Sequence, residues 1–298
     1  MTQTEHSPLP ANELQRIANR GRWHVVSTVT ASKAGHVGGP LSAMDLLVAL
    51  FFNELNIRPD QPDWPERDRF ILSKGHSAIG LYSVMAMRGF FPEAELATFD
   101  KGDSRLQGHP DMTKLPGIET STGSLGQGLS VGVGLAIGAK LKSSAAHTWV
   151  MLGDGELQEG MIWEAVHTAT RYKLGNLTAI VDLNGLQQYG WAPINHRNKG
   201  DRTEPWLDFD LVNIFKSFGW AVVEFDGHDF ERIEAAYNWA RGNASLSRPT
   251  ALIARTVKGK GLSYAEGKYA WHTGSATDSQ LQQALEELDL ISEFGDHP

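Results

Sequence analysis

The sequence contains no cysteine. Disulfides and thiolate–metal sites are thereby excluded, and any metal must be held by oxygen or nitrogen. It contains no run of about 18 apolar residues, so no segment reads as a membrane-spanning helix. The amino-terminal MTQTEHSPLP lacks the basic-then-apolar order of a secretory signal. Excess positive charge is also missing: 27 Lys and Arg face 35 Asp and Glu, a formal net charge of −8. That balance argues against a nucleic-acid partner. Internal repeats, low-complexity blocks and a clear interdomain linker are absent too. The expectation is a cytoplasmic α/β protein whose 298 residues form a single domain, with residues 1–10 as a flexible tail.

What is present is glycine, 31 residues of it, set in loops between apolar segments. Helical spacing of Leu14, Ile17, Ala18 and Val25 predicts a helix over 12–30. A glycine-rich loop, SKAGHVGGP, follows, then an apolar helix over 41–53. RFILS predicts a short buried strand that runs into KGHSA, followed by a helix over 77–88. After a loop dense in Gly, Pro, Asp and Thr comes LGQGLSVGVGLAIGAK. Its glycines at 128, 132, 134 and 138 fall at helical spacing. Each weakens an isolated helix by about 1 kcal/mol relative to alanine, so a close helix–helix approach, within the chain or between subunits, is expected there. Strands over 148–152, 177–181, 220–225 and 249–256 then alternate with helices over 157–172, 209–218 and 230–241, the last capped by Asp229. Buried strands alternating with helices predict a parallel sheet with helices on both faces. Ligands of such sheets bind beyond the carboxyl ends of the strands.

One of those ends reads GDGELQEG. An aspartate clamped between Gly153 and Gly155 makes either a tight turn or a place where a metal and phosphates come close to the backbone. About thirty residues later the next strand ends in DLNGL. The Asp154 carboxylate, the Asn184 amide oxygen and the Leu186 carbonyl could together build an oxygen-ligand site for Mg²⁺, with Ca²⁺ or Mn²⁺ as substitutes. A GDG followed at this distance by an asparagine is the signature of thiamin-diphosphate enzymes.

The wider pattern resembles the transketolase family. The stretches that carry it are AGHVGGPLSAMDLL, ILSKGHSA, GHPDMTKLPGIETSTGSLGQGLS, GDGELQEGMIWEA and VKGKGLSYAEGKYAWHTG, in family order along nearly the whole chain. The resemblance implies a thiamin-diphosphate-binding fold. It covers only the first of three parts of a full transketolase, so the chain is expected to be the N-terminal, diphosphate-binding subunit of a split enzyme. The partner, a C-terminal subunit, would carry the pyrimidine-binding half and the catalytic glutamate. A dimer of such pairs, a heterotetramer, and a sugar or sugar-phosphate substrate are further expectations, with the glycine stripe as a candidate part of the interface.

By the same resemblance, Gly123, Ser124 and Leu125 lie along the cofactor, and Gly153 and Gly155 allow its close approach. His36, His76, His109 and His272 line the mouth of the site, binding sugar hydroxyls or cofactor phosphate (His76 and His272 touching the cofactor) and moving protons near neutral pH. Glu159 reaches across to the partner's catalytic glutamate, although a first-turn acid favoured by the helix dipole is the plain alternative. Lys258 and Lys260 in KGKG either touch the diphosphate or sit in a solvated loop. The other histidines, His6, His24, His147, His167, His196, His228 and His297, are expected to be structural or surface residues.

Three features depart from the family: Val37 where proline is usual, Gln188-Tyr189-Gly190 after the metal loop, and the segment 191–206. They bear on the acceptor and leave open a pathway-specific ketose. The rival functions are 1-deoxyxylulose-5-phosphate synthesis, oxidative decarboxylation of a 2-oxo acid, and a non-catalytic cofactor-binding module. GHP at 108–110 and LQEG at 157–160 favour transketolase.

Overall fold

A computed structural model describes residues 8–188 and 210–295. Five parallel strands form one sheet: β1 (Arg69–Leu72), β2 (Thr148–Gly153), β3 (Leu177–Leu183), β4 (Ala221–Asp226) and β5 (Thr250–Arg255). Their spatial order is β1-β2-β3-β5-β4. The register is continuous, with Thr148 opposite both Arg69 and Leu177, and Thr178 opposite Thr250. Every residue of β2 is buried, and this is why TWVML reads as an unbroken apolar run rather than an alternating one.

The alternation survives in what each face touches. Trp149 and Met151 join a core cluster with Ile180 and Leu252, while Val150 and Leu152 join a second one with Val181 and Ile253. The first face is covered by α1 (Ala11–Ser32), α2 (Gly38–Ala49), α3 (Ala78–Met87), α7 (Phe230–Gly242) and α8 (Asp278–Glu287). The second is covered by α4 (Gln127–Leu141), α5 (Gly160–Arg171) and α6 (Leu211–Ser217), and a short α9 (Ile291–Phe294) ends the described residues. Helices on both faces of a parallel sheet are what the sequence predicts.

All twelve residues of α2 are buried, Ser42 and Asp45 included. A helix apolar all round has no solvent face and belongs inside the core. It starts three residues earlier than predicted, because Gly38, Gly39 and Pro40, read as loop, form its first turn. Proline is tolerated there, where its missing N–H has no helical partner. Asp229 caps α7 as predicted, its side chain accepting from the N–H groups of Glu231 and Arg232. Leu9 exchanges hydrogen bonds with the Asn53 side chain at 2.9 and 3.0 Å, so the expected tail is anchored there, while residues 1–7 lie outside the described residues.

Half of the glycine stripe of α4 does a different job from the one expected. A Cβ at Gly128 would collide with Ser73 Oγ, and one at Gly132 would stand 2.5 Å from Val150 Cγ2. These two glycines let α4 settle onto the sheet rather than onto a helix. A Cβ at Gly134 or Gly138 would meet nothing within 4 Å. The outer half of the stripe therefore lies open beside Val131 and Leu141, which are 38% and 81% exposed.

Candidate active site

The strands β1, β2, β3 and β5 end side by side, and the loops leaving them enclose a cleft of about 280 Å³. Its lining joins segments far apart in sequence: His36 and Gly39, Lys74 and His76, Gly123 and Leu125, Gly153 to Glu156, Asn184 with Leu186 to Gln188, and Lys258 with His272. The loop carrying His36 is tied to the one carrying His272, because Val37 N–H donates to the His272 carbonyl at 3.2 Å. Proline, usual at that position, has no N–H to give.

Asp154 follows β2 and is 2% exposed. Its oxygens accept from the backbone N–H groups of Gly155 at 2.7 Å and Gly185 at 2.5 Å. No lysine or arginine among the described residues makes an ion pair with it. Burial, and then the charge of neighbouring Asp182, push its carboxyl up to about 6 against those hydrogen bonds. The backbone turns through a positive φ at Gly185, with φ of 74°, and not at Gly153 or Gly155. Gly155 contributes room instead: a Cβ there would stand 3.1 Å from Gln187 Cγ.

Three buried charged residues that were not singled out from the sequence frame this turn: Asp182, Lys74 and Glu156. Asp182 in β3 is fully buried and pairs with buried Lys74, while also accepting from Ser42 Oγ at 2.6 Å and from the Thr256 hydroxyl. Burial alone would push its carboxyl up. The Lys74 charge and the hydrogen bonds outweigh that and hold it below the ordinary range. Glu156 accepts from Ser73 Oγ at 2.5 Å and from the N–H groups of Gly126 at 2.8 Å and Gly153 at 3.1 Å, bracing the GDG turn against the start of α4. Their signal was a charged residue at the end of an apolar strand, where a buried charge must have a partner.

Lys258 is not solvated. It is 2% exposed, and its Nζ donates to the Leu186 carbonyl at 3.4 Å and the Gln187 carbonyl at 2.9 Å, and lies 2.9 Å from His272 Nδ1. Burial, and then repulsion from Lys74, lower its amine to about 8. The imidazoles of His36, His76 and His272 form a triangle with centroids 5.0 to 5.2 Å apart. Burial first, and then neighbouring cations and imidazoles, lower His36 to about 4, His272 to about 3 and His76 well below its ordinary value. The three rings are therefore neutral at pH 7. The expected titration near neutrality does not hold for them as they stand, and they offer neutral donors and acceptors.

The remaining predicted residues fall at the edge. His109 is exposed at the rim, its ring 6.0 Å from that of His36. Gly123 and Leu125 line the cleft, while Ser124 between them is exposed. Glu159 is exposed, does not line the cleft, and is the N-cap of α5 without a capping hydrogen bond from its side chain. Among the other histidines, His24 lies 2.8 Å from Glu93, buried His147 lies 2.8 Å from the Thr178 hydroxyl, and His167 is exposed. Tyr189, Gly190, the segment 191–206, His6, His196 and His297 lie outside the described residues.

The chemistry of this lining fits a metal–diphosphate ligand. No group of three His, Cys, Asp or Glu side chains suited to a metal occurs among the described residues. A cation would depend on Asp154 with the amide and carbonyl oxygens of Asn184 and Leu186, which sit together in the cleft. An ionised Asp154 calls for a cation, and Lys258 with the neutral imidazoles calls for an anion. Within this lining His36 Nδ1 and Gln187 Nε2 are buried without a partner among the described residues, as groups awaiting a polar ligand are.

Comparison with known proteins gives the same direction. The family model "Transketolase, thiamine diphosphate binding domain" matches residues 13–292. The chain is 40% identical over 277 residues to one of the subunits of the apulose-4-phosphate transketolase of Phocaeicola vulgatus, covering 93% of each. It is 37% identical to the 6-deoxy-6-sulfo-D-fructose transketolase subunit SqwG of a Clostridium species, covering 93% of this chain and 96% of that one. Its fold superposes on the crystal structure of the Campylobacter jejuni transketolase with a TM-score of 0.83 at 30% identity, over 94% of this chain but only 43% of that one.

Proposed function

This chain belongs to the transketolase family, and from that premise we propose that it is the diphosphate-binding subunit of a two-chain transketolase. With a partner subunit it transfers a two-carbon ketol unit from a ketose to an aldose. The observation that carries the reading is the pairing of opposite demands in one cleft. Asp154 is a buried carboxylate that makes no ion pair with a cationic side chain among the described residues, and it shares the cleft with a lysine and three imidazoles that make none with an acidic one. Magnesium diphosphate satisfies both at once.

Asp154, Asn184 and the Leu186 carbonyl hold the Mg²⁺. Lys258, His76 and His272 face the diphosphate, with Gly123, Leu125 and Gly155 giving it room. Thiamin diphosphate, when bound, supplies the carbon nucleophile and electron sink of ketol transfer. Lys258 and the imidazoles would donate hydrogen bonds to such an anion, and their affinity for protons would rise beside it. His36 and His109, nearer the mouth, orient sugar hydroxyls. Glu159 points out of this chain toward the partner's pyrimidine-binding half, which carries the catalytic glutamate. The substrate is a ketose bearing a phosphate or another anionic group, in keeping with the sugars named for the subunit relatives. The working assembly is a dimer of such pairs, each chain contributing residues 1–298 as one domain, and its place is the cytoplasm.

The test is to purify the chain from its native cells, identify by mass spectrometry the chain that accompanies it, and assay the pair. Ketose-dependent aldose extension that needs thiamin diphosphate and a divalent cation supports the reading. Turnover of pyruvate with none of ketoses overturns it. Among the described residues no helix is long and apolar enough to cross a membrane, so the purification needs no detergent on that account.

A further inference from the structure

His228 lies in DGHD, between β4 and α7, outside the cleft. Its Nε2 is 2.8 Å from the backbone nitrogen of Val257, the residue before Lys258. A backbone N–H can only donate, so Nε2 is the acceptor and carries no proton. The proton of the neutral ring then sits on Nδ1, which donates to Asp45 Oδ2 at 2.7 Å. Geometry alone fixes both the charge state and the tautomer.

Asp45 is 1% exposed in the middle of α2. The same Oδ2 accepts from an Arg22 terminal nitrogen at 2.6 Å. Arg22, 2% exposed on α1, turns its Nε to the Lys260 carbonyl at 3.0 Å. One buried carboxylate thus steers two side chains, and each grips the backbone of the KGKG loop on a different side of Lys258. The loop is pinned elsewhere as well: Gly259 N–H donates to the Gly38 carbonyl at 3.1 Å, and Gly267 N–H to the Lys258 carbonyl at 2.9 Å. Between these anchors Lys258 is aimed into the cleft, its Nζ against the Leu186 and Gln187 carbonyls.

We infer that Asp45, through His228 and Arg22, is a positioning device for Lys258, setting the loop so that the amine meets the anionic end of the ligand. None of the three is part of the cleft lining, and their effect on ligand binding passes through the lysine. The inference rests on the reading of the cleft as a thiamin diphosphate site. It assigns a task to a histidine whose sequence context suggests only a strand-to-helix turn.

Two substitutions separate the contacts of His228. Asn, being short, can keep the hydrogen bond to Asp45 and not the one to Val257. Gln can bring its carbonyl oxygen to the Val257 N–H. The experiment is calorimetric titration of the chain, assembled with its partner subunit, with thiamin diphosphate in Mg²⁺, for the wild type, His228→Asn and His228→Gln. Each is made with Lys258 intact and with Lys258→Met, and amide hydrogen exchange of residues 256–261 is followed without ligand. The expected result is affinity roughly tenfold weaker for His228→Asn, smaller loss for His228→Gln, faster exchange at Val257 in His228→Asn, and no further loss when Lys258 is already Met. Equal losses on both backgrounds, or unchanged affinity despite faster exchange, overturn the inference while leaving the cofactor reading in place. A wild-type pair that binds no thiamin diphosphate overturns both, and it is recognised before any variant is compared. Thermal unfolding of each variant identifies one that is simply misfolded, and in that case Arg22→Lys, which can keep the charge beside Asp45 but not the fork to Lys260, carries the same comparison.

Discussion

The two ends of one sheet bury two clusters of charge, and they are built on opposite principles. At the amino ends of the strands, Arg241 donates to Glu54 at 2.6 Å and to Asp68 at 2.8 Å. Asp68 also accepts from the N–H groups of His147 at 2.8 Å and Asn56 at 2.9 Å. The two carboxylates there share one guanidinium within the chain. At the carboxyl ends, Lys74 and Asp182 form one such closed pair, but Asp154 and Lys258 make no ion pair beside it, the acid pushed up to about 6 and the amine down to about 8. A closed cluster holds the fold together. An open one is held in place by the fold at a cost in stability, and a ligand of the complementary charges recovers that cost. Burial is common to both ends, so pairing rather than burial tells the site from the scaffold.

The sharpest way to break this comparison is to neutralise Asp154. Asp154→Asn should abolish the Mg²⁺-dependent rise in melting temperature with thiamin diphosphate, and lower activity of the assembled enzyme by more than about a hundredfold. The ligand-free chain at pH 8 should be more stable, by about 3 kcal/mol, because an ionised group whose pKa rises on folding has been removed. A destabilised ligand-free variant would show the carboxylate to be a structural one. The converse is Arg241→Ala at the closed end. It should cost about 3 kcal/mol in urea unfolding, because two buried carboxylates lose their cation, while thiamin diphosphate affinity of the folded protein stays unchanged.

The pH dependence of the two unmatched groups sharpens the contrast further. Asp154 has a raised folded pKa, so its cost to stability is present above about pH 6 and disappears as pH falls through its unfolded value of 3.8. Lys258 has a lowered folded pKa, so its cost is present below about pH 8 and disappears as pH rises toward 10.5. Cation affinity should therefore drop as pH falls through about 6, where a proton competes for Asp154. Binding of the diphosphate near pH 8 should take up protons, measurable as calorimetric heats that depend on the buffer's ionisation enthalpy. Asp154→Asn should remove the first effect and Lys258→Met the greater part of the second.

The smallest effects lie on α4. Gly132→Ala should destabilise the chain by about 1–3 kcal/mol, since the new methyl collides with Val150. Gly138→Ala, facing open space, should stabilise the isolated chain by up to about 1 kcal/mol. If the open half of the stripe meets another subunit, the same substitution weakens assembly, which sedimentation of the pair would reveal.

Much of this was legible in the residues. The rhythm of apolar strands and periodic helices pointed to the parallel sheet, because burial on both faces leaves continuous apolar runs that no solvent-facing strand has. The Asp154–Asn184 spacing and the glycine-flanked histidines marked the strand ends that carry the cleft. What the pattern could not carry was pairing. Lys74 and Asp182 lie 108 residues apart, and each alone looks like the polar end of a strand. His228 reads as a turn residue because its partners, Asp45 and the Val257 N–H, come from α2 and from the loop after β5. The glycines at 128, 132, 134 and 138 share one spacing, yet two face the sheet and two face open space, a difference of rotation about the helix that spacing does not encode.

By itself, then, the sequence determined which segments are strands and helices, which glycine-rich loops come together at the cleft, and the family resemblance that goes with them, for these depend on local period and on residue chemistry. The tertiary structure alone decided which buried charges are closed into pairs and which are left open, that the clustered imidazoles are neutral, and that a remote carboxylate aims Lys258. Each of these is a sum over neighbours brought together through space, and protonation and orientation in a protein interior are set by that sum.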